Sequence, residues 1–266
     1  MRDYQYRYCT EYSYGQPVSR YNFLLRCLPW EGGSQHILKS DIGVWYRLQG
    51  CQYEVPYSMG TDGWGADICY GFLSYYHDGF VSESSGVMRM TTQYYEMPFR
   101  GNAGIFRADT QITSPTMEMR LLACDYAGTY GTDLDKALRI CDFVHHYIEF
   151  ASGSTTFKTT ARESFRQRKG VCQDLAHIMI SMCRAVGIAV RYVNGLTIGE
   201  GQTHAWVEVL SQNLWFGVDP TANKLIDNGY IKIAHGRDAH DCPVNCGTFY
   251  GLATQNTYVH VSVTEI

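Results

Sequence analysis

GVCQDLAHIMISMCRAVG, residues 170–187, is the stretch whose reading decides the fold. A glycine at position 170 opens almost at once into an apolar-periodic run, so the spacing predicts a helix that starts at Cys172 and stops at Gly187. Leu175, Ala176, Met179, Met182, Cys183 and Val186 follow the three-and-four spacing of a buried helical face. Cys172 then stands at the helix N-terminus and looks outward, where unpaired N–H groups and the positive end of the helix dipole stabilise a thiolate. A lone cysteine is more often a small buried hydrophobe, so its chemistry has to come from what the fold brings to it.

On the C-terminal side three strand-like segments follow, Ile188 to Leu196, His204 to Leu210 and Leu214 to Asp219. A helix followed by antiparallel strands makes this half α+β rather than a βαβ crossover fold. In THAWVEVL, alternation puts Ala205, Val207 and Val209 on one face and His204, Trp206 and Glu208 on the other. Asp219 precedes Pro220, which holds it extended at the end of its strand. With a turn at Ser211 to Asn213, His204 lies 6 residues before Leu210 and Asp219 lies 5 after Leu214, so both reach the same edge of the sheet. Asp219 can then accept a hydrogen bond from one ring nitrogen of His204 and leave the other for a cysteine packed against that edge. Taken singly, His204 also reads as a hydrogen-bonded strand histidine and Asp219 as a turn residue. Together with Cys172 they have the logic of nucleophile, base and orienting carboxylate.

On the N-terminal side, Thr160-Ala161-Arg162-Glu163 is a capping box for a short helix through Arg168, preceded by the polar loop SGSTTFKTT. Thr132 or Asp133 caps a helix to about Phe150, with Leu134, Ala137, Leu138, Cys141, Val144 and Ile148 along one face. His145 and His146 ride on it as surface histidines; adjacent helical positions point about 100° apart and cannot chelate one metal together. Helical periodicity begins around Gln111 to Pro115. Residues 1–110 instead alternate from Tyr4, Tyr6 and Tyr8 onward, with further candidate strands at Asn22 to Leu28, Lys39 to Arg47, Asp67 to Tyr76 and Gly86 to Tyr95. Turn signals fall at Glu31-Gly32-Gly33, Asp62-Gly63 and Asp78-Gly79. The pattern predicts an antiparallel β-sandwich over 1–110, with its tyrosines used for packing rather than as a carbohydrate or peptide surface. Residues 111–266 form the second unit.

A chain of 266 residues with net charge -4 and a pI near 6.1 has no electrostatic footprint for nucleic acid. The N-terminus MRDYQYRYCTEY lacks the apolar stretch of a secretory signal, and no window reaches the length of a membrane span. A cytoplasmic chain follows as the expectation, with no membrane partner and its ten cysteines as thiols. Cys242 and Cys246, in CPVNC with His240 nearby, could form half of a zinc site, but no second ligand pair follows; a structural turn is the expectation, without metal or cofactor.

GVCQDLAHIMISMCRAVGIAVRYVNG, THAWVEVL and LWFGVDPT, in this order, resemble the core of the transglutaminase-like superfamily, specifically its bacterial branch of cysteine proteases. The likeness extends through YSYGQPV, LRCLP and DGWG to the β-sandwich that precedes the core in that branch, and through IKIAHGRDAHDCPVNCGTFYG to a closing β segment. After GRD this chain departs from the pattern, with Ala239, His240 and Cys242 where aromatic and aliphatic residues are usual. The resemblance implies a papain-like α+β core behind an antiparallel β-sandwich domain, with Cys172 as nucleophile, His204 as general base and acid, and Asp219 orienting the ring. The expected activity is acyl transfer through a thioester, most simply hydrolysis of a peptide or isopeptide amide. Protein crosslinking or transfer to a small amine would use the same three residues, and a non-catalytic binding module is the competing class. The backbone N–H of Cys172 is a natural oxyanion donor, with the second donor unassigned. Asp174 reads as electrostatic support for the first helical turn, His177 as a core or supporting histidine, and Trp206 as a wall of the acyl site or a packing residue.

Overall fold

The alternation that begins at Tyr4 runs on without a hairpin: Arg2–Leu25 is one strand of 24 residues. The computed structural model describes residues 1–91 and 101–266. Tyr4, Tyr6, Tyr8, Tyr12 and Tyr14 all point inward and are buried, so these tyrosines are packing residues. The first half of the strand pairs with the C-terminal strand Gln255–Glu265 on one side and with His77–Met90 on the other. Its register breaks between Ser13 and Val18. Beyond the break, Tyr21–Leu25 pairs with Asp67–Leu73 and Asn245–Tyr250. A strand that changes partners across an irregularity turns a corner between two sheet layers. The layers close on Phe80, whose ring lies 4.8 Å from Tyr21 and 5.0 Å from Phe23.

The expected strand Asn22 to Leu28 is therefore the tail of this longer one. Lys39 to Arg47 and Asp67 to Tyr76 correspond to Gln35–Leu48 and Asp67–Leu73. The Gly86 to Tyr95 expectation falls partly on His77–Met90, and its residues 92–95 lie outside the described residues. Asp62-Gly63 is a turn, in which Asp62 accepts from the amides of Trp64 and Ala66 at 2.8 and 2.9 Å. Asp78-Gly79 is not a turn. It lies inside a strand, where a Cβ on Gly79 would stand 3.1 Å from the Tyr12 carbonyl oxygen; here glycine marks two backbones in close approach.

The second body sets helices on a five-stranded antiparallel sheet. Its strand order is Lys224–Leu225, Leu214–Asp219, His204–Ser211, Val190–Thr197, Tyr230–Gly236. The helices are Met117–Ala127, Asp133–Tyr147, Ala161–Gln167 and Cys172–Ala185. Thr132 and Thr160 both sit at the N-cap of a full capping box. Thr132→Ala removes the acceptor for the Asp135 amide and will cost about 1 kcal/mol, a fall of roughly 2–4 °C in Tm for a chain of this size, measurable by thermal melting.

Cys172–Ala185 is more enclosed than a single apolar face predicts, because residues 174–184 are all buried, between the sheet and the other helices. Arg184 tolerates this by giving its guanidinium to the Phe106, Val190 and Arg237 carbonyls and the Thr113 hydroxyl. Burial lowers its pKa to about 10.

The two bodies are stitched together twice. Asn245–Tyr250 and Gln255–Glu265 return from the core to the first strand. Gly199–Gly201, in the connection between two core strands, crosses over to pair with residues 261–263. No helix among the described residues is long and apolar enough to cross a membrane.

Candidate active site

The start of the Cys172 helix is built by Asp174. Its carboxylate accepts from the Val171 amide at 2.8 Å and from the Thr155 and Ser164 hydroxyls at 2.6 and 2.9 Å. One buried side chain thus caps the helix and ties to it the 151–160 loop and the helix Ala161–Gln167. Gly170 makes the arrangement possible, since a Cβ there would lie 2.5 Å from that of Asp174. Cys172 emerges half-buried as the first helical residue, so its N–H is one of the donors the helix itself leaves unpaired.

His204 and Asp219 come together through a two-residue hairpin. Gln212 and Asn213 both have positive φ, 50° and 63°, as a type I′ turn demands. The resulting register places Val207 opposite Val218, so Asp219 is a diagonal neighbour of His204 on one face. His204 Nε2 lies 2.8 Å from Asp219 Oδ2. The Tyr230 hydroxyl donates to the same oxygen at 2.8 Å, while Oδ1 accepts from the Thr221 and Ala222 amides at 2.7 and 3.2 Å. The helix Asp133–Tyr147 grips the turn from below: the Cys141 thiol lies 3.6 Å from the Asp219 carbonyl oxygen, and His145 Nδ1 lies 3.2 Å from that of Pro220. His145 is therefore a half-buried contact of the Asp219 turn rather than a surface histidine.

Burial alone would lower the His204 pKa, but hydrogen bonds to Asp219 and to the Cys172 side chain, with the charges of both, raise it to about 10. Since Nε2 is committed to Asp219, Nδ1 is the nitrogen left for the sulfur. Burial likewise pushes the Asp219 carboxyl up, and the His204 bond and charge, the Tyr230 hydroxyl and the Thr221 amide outweigh it, for a net lowering. Burial first, and then Asp219, raise the Tyr230 pKa, keeping its hydroxyl a donor. The structure thus brings Cys172, His204 and Asp219 together, in the order thiol, imidazole, carboxylate.

Residues 121–220 match the family model for the transglutaminase-like superfamily. The segment is a transglutaminase-like core. The whole chain superposes on the "putative cysteine protease" of Cytophaga hutchinsonii with a TM-score of 0.77 at 23% identity, covering 100% of this chain and 92% of the other; at that identity the likeness establishes the fold, a papain-like core with an N-terminal β domain. An uncharacterized protein of Mycobacterium tuberculosis is 38% identical over 135 residues, 44% of this chain and 43% of its own length. Another from Mycobacterium leprae is 30% identical over 129 residues, 45% of this chain and 46% of its own. The matches thus span less than half the length of these relatives.

Around the transglutaminase-like core, the other polar candidates are structural. His177 is fully buried: its Nε2 accepts from the Ala239 amide at 3.2 Å, its ring lies 5.1 Å from that of Tyr192, and burial lowers its pKa to about 4. Trp206 packs between His204 and Tyr230, at 6.4 and 5.5 Å, and does not line the cleft onto which Cys172 opens. Glu208 is buried against Arg191 and Lys232, at 2.5 and 3.0 Å. The buried Cys242 thiol rests on the Asp238 carbonyl at 3.7 Å, whereas Cys246 is exposed.

Tyr230 is the functional side chain that sequence reasoning missed. It opens a strand that pairs with Val190–Thr197, and no local spacing points from there to Asp219. Thr155 and Ser164 were missed for the same reason, although the polar loop and capping box that carry them were legible.

Proposed function

We propose that the protein is an acyl-transfer enzyme that hydrolyses peptide or isopeptide amide bonds through a thioester on Cys172. The observation that carries this reading is the His204 imidazole, fixed by Nε2 at 2.8 Å from Asp219 and lining one cleft together with Cys172. The Cys172 sulfur attacks the amide carbonyl, and the developing oxyanion is met by the Cys172 N–H at the helix start. His204, protonated, gives its proton to the leaving amine as the C–N bond breaks, leaving a thioester and a neutral imidazole. The imidazole then takes a proton from water as its oxygen attacks the thioester carbonyl, and breaking of the C–S bond releases the carboxylic acid and the Cys172 thiolate, restoring the thiolate beside a protonated His204. Asp219 holds the ring in the required tautomer throughout. Water is chosen as acceptor by analogy with the Cytophaga hutchinsonii protein of the same fold, which is described as a "putative cysteine protease". Cytoplasmic residence belongs to the same proposal and rests on ten cysteines read as thiols.

Two measurements test the reading. Iodoacetamide at neutral pH will label Cys172 at least about tenfold faster than the exposed Cys51 and Cys124 of the same chain, as an activated nucleophile requires; equal rates would remove the nucleophile. A peptide library followed by mass spectrometry will show free-acid products with the wild type and none with Cys172→Ala. Amine conjugates without free acid would replace hydrolysis by aminolysis, and cleavage surviving the substitution would overturn the role of Cys172.

A further inference from the structure

Two cavities lie beside the Cys172–His204 pair, one lined by the pair and the other by their chain neighbours Gln173 and Thr203, and their charges are opposite. The first, ≈ 310 Å³, is lined by both residues; its one other ionisable wall group is Glu200. The second, ≈ 770 Å³, is lined by Gln173, next to the nucleophile, and not by His204; its wall carries Lys158 and His240 and no carboxylate. Thr203, the neighbour of His204, lines both, so the two cavities adjoin at that residue and form two arms beside the nucleophile. Among the described residues neither Glu200 nor Lys158 has an ion-pair partner.

Both charges are carried on ordered backbone. Glu200 lies in the short strand that crosses to the first sheet, opposite Ser262. The Lys158 loop is closed by the Thr156 amide on the Thr159 hydroxyl at 2.9 Å, and Phe157 lies 4.7 Å from the His240 ring.

The chemistry decides which part of a substrate enters which arm. A leaving amine takes its proton from His204 and must lie within hydrogen-bond reach of that ring, which puts the amine half in the arm that His204 lines. The acyl half then extends past Gln173 into the larger arm, roofed by Tyr12, Thr257 and Val259 of the first body. This deduction rests on the acyl-transfer reading of Cys172.

We infer that the substrate is a doubly charged amide, with a cationic group on the amine half that meets Glu200 and a carboxylate on the acyl half that meets Lys158. Phe150, half-exposed on the rim of the smaller arm, offers an apolar surface to the methylene stem of a lysine-like side chain. The enzyme of this reading cuts between an acidic and a basic residue, or at an isopeptide of the same polarity.

The test uses the full chain and peptides that differ only in the residues flanking the scissile amide: Glu, Gln or Lys on the acyl side, and Lys, Gln or Glu on the amine side. Each solvent-accessible charge contact is expected to contribute up to about fivefold in kcat/KM, and the preference for Lys over Glu on the amine side to shrink at high salt. Glu200→Lys will reverse the amine-side order, and Lys158→Glu will reverse the acyl-side order while the amine-side order stays. A wild-type preference within twofold on the amine side, or an order that Glu200→Lys leaves unchanged, overturns the inference with the acyl-transfer reading intact. If the wild type cleaves no member, or Cys172→Ala cleaves as well as the wild type, the acyl-transfer reading falls and the inference falls with it.

Discussion

Asp219→Asn will lower amide turnover about 10³- to 10⁴-fold while leaving the fold in place. The Thr221 and Ala222 amides both donate to Oδ1, so the carboxamide oxygen must take that position. Its NH₂ then occupies the place of Oδ2, where His204 and Tyr230 now meet. Facing a donor, Nε2 of the neutral ring becomes an acceptor, and the ring proton moves to Nδ1, pointing at Cys172. The imidazole can no longer take a proton from that side. A loss smaller than tenfold would mean that Asp219 does not set the tautomer.

The same substitution changes how stability depends on pH. In the wild type the His204 pKa is raised from 6.5 to about 10, so the stability gained from its partners is fully present below about pH 6.5 and lost as pH rises through about 10. The lowered Asp219 contributes stability above its ordinary value of 3.8, lost as pH falls through its folded value. With Asn in place of the carboxylate, burial acts on His204 with only Cys172 opposing it, so the His204 pKa falls and the high-pH loss shrinks. Thermal melts at about pH 7 and pH 10 will show a smaller drop in Tm for the variant than for the wild type, and the imidazole NMR titration of His204 will move to lower pH.

The three central residues were legible because each announces itself locally. A glycine ahead of a periodic run marks Cys172, alternation marks His204, and a strand ending at proline marks Asp219; one short hairpin joins the last two, so counting residues was enough. What failed was tertiary in origin. The corner in Arg2–Leu25 follows from two sheet layers closing on Phe80, which no window of alternation contains. The helix Met117–Ala127 escaped because it buries only Met119, Ala123 and Ala127 while Met117 and Leu121 stay exposed, leaving too narrow a stripe to read as a face. Tyr230 reaches Asp219 across the sheet from a strand that borders neither of the hairpin strands. Periodicity reports which face a residue is on, not which distant group shares it.

Asp174→Ala will destabilise the protein by about 3–5 kcal/mol, because it strands three donors around a buried site, and will lower Tm by roughly 10 °C. The donors come from the 151–160 loop, the helix Ala161–Gln167 and the residue before the nucleophile, so the three segments lose their common anchor together. The loop also carries Phe157 and Lys158, walls of the larger arm; acyl-side selectivity and the alkylation rate of Cys172 will therefore fall along with stability. A double-mutant cycle separates a hub from a simple cavity. Thr155→Val alone will cost about 1 kcal/mol. In the Asp174→Ala background its acceptor is already gone, and the same change will cost nothing or restore stability by removing an unsatisfied hydroxyl. Additive costs would show that Thr155 is held by something other than Asp174, and the nucleophile's position would then rest on the helix and Gly170 alone.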